Sequence, residues 1–379
     1  MGMRYKFIDL FCGIGGFRQA FDDLGCECVF SSDIDKYANI TYEANFGEVP
    51  HGDITKIPAK EIPAFDILLA GFPCQPFSYS GRNEGFEDKT RGTLFFDVVR
   101  IIKHHKPKMF LLENVKGLKS HNSGQTLKVI EETLIQLGYN INWTIIDSLK
   151  FGVPQKRERW YCVGFDKEIE FEFPKGKNIT PKLKDIISNE YDDDKSLKLT
   201  DFEIARIDYH FQSNEIRVKH DNSKYAANTK KGKHGIFSFQ KADGSLRFHV
   251  GDVAKTQIQE AFYSCLDTYA CTIIANRTPK LWDIKRKLAV REAARLQGFP
   301  DKFIFPVSNN QAYKQLGNSV VVPVIKAIGE KMLDCYQKDI KKLNLFTETT
   351  SNKNNERLTA PKKNGGLSAN LNISATNKV

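Results

Sequence analysis

Through the first third of the chain, short apolar runs alternate with stretches whose apolar residues recur at helical spacing. Lys6-Phe-Ile-Asp-Leu-Phe predicts a strand, Cys12-Gly-Ile-Gly-Gly16 a glycine-rich turn, and the residues from about Phe17 to Leu24 a helix. Glu27-Cys-Val-Phe-Ser predicts a second strand ending at the acidic Asp33, and Ala38 to Phe46 a second helix. Asp66-Ile-Leu-Leu-Ala predicts a third strand running into Gly71-Phe-Pro-Cys. Helical spacing returns from Leu94 to Lys103, and Met109-Phe-Leu-Leu predicts a buried strand ending at Glu113-Asn114. Strands that alternate with helices, and that are apolar throughout, predict a doubly wound α/β sheet of parallel strands.

The pattern changes after about residue 170. Residues 171–285 are richer in Lys, Asn, Asp and Tyr and weakly periodic, with short strand candidates such as Ile236-Phe-Ser-Phe, and predict a smaller, irregular domain. Regular periodicity resumes at Val290-Arg-Glu-Ala-Ala-Arg-Leu-Gln, a helix closed by Gly298 with Pro300 just beyond. A last helix is expected from near Val320 to about Lys338, and a disordered tail from 347 to 379, rich in Asn, Ser, Thr and Lys. No run approaches the length of a membrane span, and the first residues do not form a signal peptide, so a cytoplasmic protein is expected.

Charge adds a partner class. A formal net charge of +10 favours a polyanion, although solubility alone would also use it. The eight cysteines form no CxxC pair and no metal-ligand spacing, so neither a disulfide framework nor a metal site is expected. One of them stands apart. Cys74 lies between Pro73 and Pro76 at the carboxyl end of an apolar strand, where α/β folds place active sites and where prolines fix a side chain's direction. Such a thiol is a candidate nucleophile if its pKa is lowered; a structural buried cysteine is the alternative.

Other segments point to a nucleoside-bearing ligand. The Phe11 to Gly16 loop joins a strand to a helix N-terminus, and Gly13, Gly15 and Gly16 would let backbone approach a ligand, although a tight turn needs the same residues. Asp33, twenty residues on, suits ribose hydroxyls, and Gly52-Asp53-Ile54 offers an adenine contact. Glu113 is placed to stay protonated and donate a hydrogen bond, or else to cap the following helix. Gln155-Lys-Arg157-Glu-Arg159 puts two arginines on one face of a strand, fit for a phosphate and a carbonyl oxygen, or simply exposed.

In chain order, these segments resemble the DNA (cytosine-5-)methyltransferase family of the bacterial modification type, over roughly 4–165 and 286–335. The resemblance rests on Phe11-x-Gly-x-Gly-Gly16, Asp33, Asp53, Gly71-Phe-Pro-Cys-Gln-Pro-Phe-Ser78, Arg91-Gly-Thr-Leu-Phe, Glu113-Asn-Val and Gln155-x-Arg-x-Arg159. Two later segments complete it, Arg291-Glu-Ala-Ala-Arg-Leu-Gln-Gly-Phe-Pro300 and Gln311-Ala-Tyr-Lys-Gln-Leu-Gly-Asn-Ser-Val-Val321. Cys12 stands where the family usually has Ala, and Asp33 where it often has Glu.

The resemblance implies a doubly wound, Rossmann-like catalytic domain from 1–170 and 286–340, with 171–285 as target-recognition domain. It implies S-adenosylmethionine as cofactor, with Phe11 stacking on adenine, Asp33 and Ile34 at the ribose, and Asp53 and Ile54 at the adenine. Gly13, Gly15 and Gly16 would admit the methionine moiety, Gly71 and Pro73 would add further cofactor contacts, and Asn318 and Ser319 would finish the pocket. Cys74 would attack carbon 6 of a cytosine flipped out of double-stranded DNA, with Glu113 at ring N3 and Arg159 at O2. Arg157 would bind phosphate and orient Glu113, and a water near Asn114 would remove the carbon-5 proton. Lys224, Lys230, Lys231 and Lys233 are candidate phosphate contacts. A monomer paired with a restriction endonuclease is the expected setting. Two alternatives are an RNA cytosine-5 methyltransferase, for example on tRNA, and a catalytically silent DNA-binding subunit.

Overall fold

A computed structural model of the chain describes residues 4–73, 94–177, 179, 181–220, 235–251, 258–275 and 277–359. Cys74 to Ser78, Arg91 and the lysines 224, 230, 231 and 233 lie outside the described residues.

The four strands predicted in the first third join two more from 140–165 in one six-stranded sheet. Its members are β1 (Lys6–Leu10), β2 (Glu27–Ser32), β3 (Ile67–Gly71), β4 (Met109–Val115), β5 (Asn140–Asp147) and β7 (Glu158–Phe165), in the order β2-β1-β3-β4-β7-β5. Pairings among the first four are parallel, while β7 runs antiparallel to both β4 and β5, so the sheet is mixed rather than wholly parallel. The side chains of Ile67 to Ala70 and of Met109 to Leu112 are fully buried because helices cover both faces. On one face, α3 (Leu94–His105) and α4 (Gln125–Gln136) pack Val98, Ile101 and Ile130 against Leu68 and Phe110. On the other, Phe21 of α1 (Gly16–Asp23) packs against Phe7 and, with Leu24, against Gly329 of the last helix. The remaining N-terminal helix, α2, spans Lys36–Phe46.

Residues 171–285 are more regular than their sequence suggests. The candidate at Ile236 is β9 (Gly235–Gln240), which joins β8 (Val218–His220), β10 (Leu246–Gly251) and β11 (Ile258–Tyr263) in an antiparallel sheet ordered β11-β10-β9-β8. A helix not foreseen, α5 (Asp201–Gln212), is capped by Thr200 and Glu203 in a reciprocal box and seats Ile207 on Ile236, Leu246 and Phe248. Its partner face also buries polar groups: Ser238 Oγ lies 2.8 Å from His210 Nδ1 and 2.7 Å from His220 Nε2. That mixture of apolar and polar inward positions is what blurred the periodicity.

The C-terminal part returns to the first sheet through α6 (Val290–Leu296), α7 (Asn309–Asn318) and α8 (Val322–Thr359). Residues Met1–Leu333 form one compact unit that holds both sheets, and Asp334–Val379 form a second. From 347 the chain continues as helix to Thr359; 360–379 lie outside the described residues. Among the described residues, no helix is long and apolar enough to cross a membrane.

Candidate active site

The strand order reverses direction between β1 and its neighbours, since β2 lies on one side and β3 on the other. Loops leaving the carboxyl ends of these strands diverge and open a crevice, the usual ligand site of such sheets. A cleft of about 490 Å³ lies there. Its walls come from the loop after β1, from Asp33 after β2, from Gly71 to Pro73 at the end of β3, from Glu113 to Val115 on β4, and from Arg157, Arg159 and the end of α7.

The first wall is built by backbone. After Leu10 the chain turns through left-handed conformations at Phe11 (φ 57), Gly13 (φ 53) and Gly15 (φ 82). The Gly13 amide donates to Asp33 Oδ2 at 2.8 Å and the Asp35 amide to Asp33 Oδ1 at 2.8 Å, which fixes the carboxylate at the cleft wall. Burial raises the pKa of Asp33, and these amides oppose the rise. Ile34 is 77% exposed and is not part of the wall. Asp53 and Ile54 are also absent from it: Asp53 Oδ1 accepts from the Thr55 amide and hydroxyl, capping a short turn, and Ile54 is buried in the core. Beneath the loop, Asp9 is fully buried with neither carboxylate oxygen hydrogen-bonded, and burial raises its pKa well above the usual range.

The second wall carries a carboxyl paired with an arginine. Parallel register sets Gly71 beside Glu113, and a Cβ at 71 would lie 3.4 Å from Glu113 Oε2, so the glycine lets the carboxyl reach across the strand ends. Arg159 Nε lies 3.2 Å from Glu113 Oε1. Burial still raises the Glu113 pKa, with Arg159 and Arg157 pulling against it. Asn114 is buried: its Nδ2 donates to the Phe72 carbonyl at 2.8 Å, and its Oδ1 accepts from the Val115 amide at 2.8 Å. Asn114, beside which a proton-accepting water is expected, lines the cleft and uses its amide to hold these two backbone groups. It clips the backbone two residues before Cys74, and Pro73, the last described residue of that loop, is exposed.

Arg157 also differs from expectation. The residue is 3% exposed; its Nη1 donates to the Ile273 carbonyl (2.8 Å) and its Nη2 to the Gly317 (3.1 Å) and Ser319 (2.7 Å) carbonyls, so backbone carbonyls take up both Nη groups while the buried Nε has no partner among the described residues. Burial, then Arg159, brings its pKa down to about 9, so it remains charged at neutral pH. Gln155 plays a parallel part, with Nε2 donating to the Leu296 carbonyl and Oε1 accepting the Ile273 amide.

The third wall arrives from the C-terminal part. Gly16 has no room for a side chain because Val320 Cγ2 and Ser319 Oγ would lie 2.7 and 2.9 Å from its Cβ. Asn318 and Ser319 line the cleft as the resemblance implies. Two neighbours were quoted but not assigned: Lys314 Nζ pairs with Asp35 Oδ2 at 2.8 Å, and Gln315 holds Thr41 Oγ1 and the Tyr37 carbonyl. Their signal was a polar face on a helix that also packs, which spacing alone reads as surface.

The residues present fit a nucleoside-bearing sulfonium: a cleft at the reversal of strand order, a hydroxyl-binding carboxylate, and open space above Gly13. Residues 5–334 match the family described as C-5 cytosine-specific DNA methylase. The chain is 43% identical to the Type II methyltransferase M.DsaV of Dactylococcopsis salina, over 92% of this chain and 93% of that protein. It is also 43% identical to the Type II methyltransferase M1.ScrFI of Lactococcus lactis subsp. cremoris, over 89% and 80%. In fold it is similar to the Dnmt2 methyltransferase of S. pombe, with a TM-score of 0.62 and 19% identity over 87% of this chain and 99% of that one. The chain belongs to the C-5 cytosine-specific DNA methylases, enzymes that transfer a methyl group from S-adenosylmethionine to carbon 5 of cytosine in DNA.

Proposed function

We propose that Cys74 is the nucleophile of this reaction and that Glu113 and Arg159 hold the target ring. Carbon 5 of cytosine is a weak nucleophile, so the ring must first be activated. The Cys74 thiolate adds to carbon 6 while Glu113, whose pKa burial raises, donates to N3 in its protonated form, and Arg159 holds O2 and the carboxyl's orientation. S-adenosylmethionine supplies the methyl group that carbon 5 accepts. A water near Asn114 then takes the carbon-5 proton, and the electron pair left behind reforms the 5,6 double bond as the carbon 6–sulfur bond breaks and Cys74 leaves as thiolate. A base inside a stacked duplex cannot reach this cleft, so it is flipped out.

In the same reading, Phe11 and Asp33 face the adenosine, with Ile34 and Asp53-Ile54 flanking that end. Gly13, Gly15, Gly16, Gly71 and Pro73 border the methionine end, and Asn318 and Ser319 close it. Arg157 and Asn114 position these walls. Residues 171–285 read the target, and 1–170 with 286–340 perform the transfer. The names of the relatives favour a modification enzyme, and we assign to this chain a monomeric, cytoplasmic role opposite a restriction endonuclease of the same target.

The observation that carries the assignment is the buried, raised Glu113 paired with Arg159 beside the strand end that leads to Cys74. Bisulfite sequencing of DNA from cells expressing the chain identifies the target. Duplexes bearing 5-fluorocytosine at that target then trap the enzyme, because fluorine cannot leave carbon 5 as a proton does. With S-adenosylmethionine, a covalent complex mapping to Cys74 is expected, and Cys74→Ser should lower methylation by about 10⁴-fold or more. A complex at another residue, or none, overturns the reading, and methylation of tRNA in place of duplex DNA would favour the RNA alternative.

A further inference from the structure

Arg157 lies at the junction of three segments that are far apart in sequence. One is Ile273 to Ala275, whose last two residues line the cleft. Another is Gly317 to Ser319, which lines the cleft above the glycine loop. The third is the link between Gln155–Lys156 and β7, which carries Arg157 itself. The guanidinium joins the first two by donating to the Ile273, Gly317 and Ser319 carbonyls. Their backbones touch directly as well: a Cβ on Gly317 would come 2.3 Å from the Ala275 nitrogen and 2.4 Å from the Ile274 carbonyl carbon. From there the contact passes to Gly16 through Ser319 and Val320.

We propose that Arg157 is a positioning residue that couples the two ligand sites, transmitting displacement of 273–275 by DNA to 317–319 and hence to the affinity for the methyl donor. The proposal rests on the reading above, in which 171–285 engage DNA and 317–319 border S-adenosylmethionine. The physical argument is rigidity. A planar guanidinium, out of water and with both Nη groups bonded to carbonyls of the two segments, leaves the two backbones little freedom to move separately. Lysine keeps the charge but not the fork, and its single ammonium cannot span three carbonyls in this geometry. Coupling between sites is reciprocal, so the donor must also tighten DNA binding by the same factor.

The test is Arg157→Lys in the full chain. S-adenosylhomocysteine affinity is measured by calorimetry with and without a duplex carrying the target found by bisulfite sequencing. KM for S-adenosylmethionine, kcat and its pH profile are measured alongside. In the wild type the duplex should change S-adenosylhomocysteine affinity by a factor of roughly 5 to 150. In Arg157→Lys that factor should fall towards one, with KM for the donor raised about tenfold, kcat at saturation within about threefold, and the alkaline limb of the profile unmoved. Gly317→Ala, which forces the same joint apart with Arg157 intact, should reproduce the loss of coupling and decides the matter if the lysine variant does not fold.

Three results overturn the proposal. One is an unchanged KM with a lowered kcat or a shifted alkaline limb, which would mean that Arg157 acts on Glu113. A second is an affinity weakened equally with and without DNA, which would make the residue a simple brace. The third is a wild-type coupling factor in the variants. Trapping by 5-fluorocytosine at saturating donor is read in the same variants, so a failed coupling remains distinguishable from a failed assignment of Cys74.

Discussion

The two sides of the cleft are built differently. The side formed by β1, β3 and β4 takes its shape from strand ends: parallel register brings Gly71 beside Glu113, and a left-handed turn brings the Gly13 amide to Asp33. The opposite side, Lys314 to Val320, has no register of its own. It is held by single side chains: Arg157 reaches in to the Gly317 and Ser319 carbonyls, and the segment's own Lys314 and Gln315 reach out to Asp35 and α2. On the proposed assignment, the chemistry sits on the side whose geometry is fixed by the sheet, where a displaced carboxyl would cost most, and donor binding is completed by the side held through side chains.

If that division is right, substitutions on the two sides should separate into different kinetic constants. The largest effect is expected at the sheet side. Glu113→Gln should lower kcat by roughly 10²- to 10³-fold, in the range of a lost general acid, with KM for the donor little changed. The sign of its pH dependence follows from burial. A carboxyl whose pKa is raised stays protonated to higher pH, so the wild-type rate should fall as pH rises through that raised value. The glutamine variant, with no such proton to lose, should lack that limb; a limb that survives would assign it to another group.

A smaller loss is expected at Asn114→Ala, which frees the Phe72 carbonyl two residues before the nucleophile. Removing a buried hydrogen-bond partner costs on the order of 1–3 kcal/mol, so kcat should fall about tenfold while donor affinity holds. The smallest is expected on the other side. Gln315→Ala should raise KM for S-adenosylmethionine a few-fold and leave kcat close to wild type, since only the tie to Thr41 and Tyr37 is cut. A kcat defect in Gln315→Ala as large as that of Asn114→Ala would break the division.

Much of the sheet side was legible beforehand because its information is local. Fully buried parallel strands read as apolar runs, and the residues at their ends, Asp33, Gly71 and Glu113, stand where the runs stop. The roles of Arg157 and Asn114 were not legible in that way. Alternation showed that Arg157 and Arg159 share a face, yet one meets a carboxylate and the other meets three backbone carbonyls. Nothing in local spacing records a carbonyl more than a hundred residues away. Asp53 shows the reverse case: its expected place at the end of a strand segment suited a ligand, and in the structure its carboxylate caps the short turn that follows it.

What the sequence determined by itself is the set of groups and their order: the apolar runs that must become buried strands, the turn at Gly13 to Gly16, the acids at strand ends, and the thiol at 74. Hydrophobic periodicity and backbone sterics act between near neighbours, so they can be read one segment at a time. Only the tertiary structure decided that β7 runs antiparallel, that 171–285 fold an antiparallel sheet around α5, and that Arg157 faces inward. Each of these depends on which distant backbone groups are left needing a partner once the chain has closed, and burial makes it costly to leave such groups unpaired.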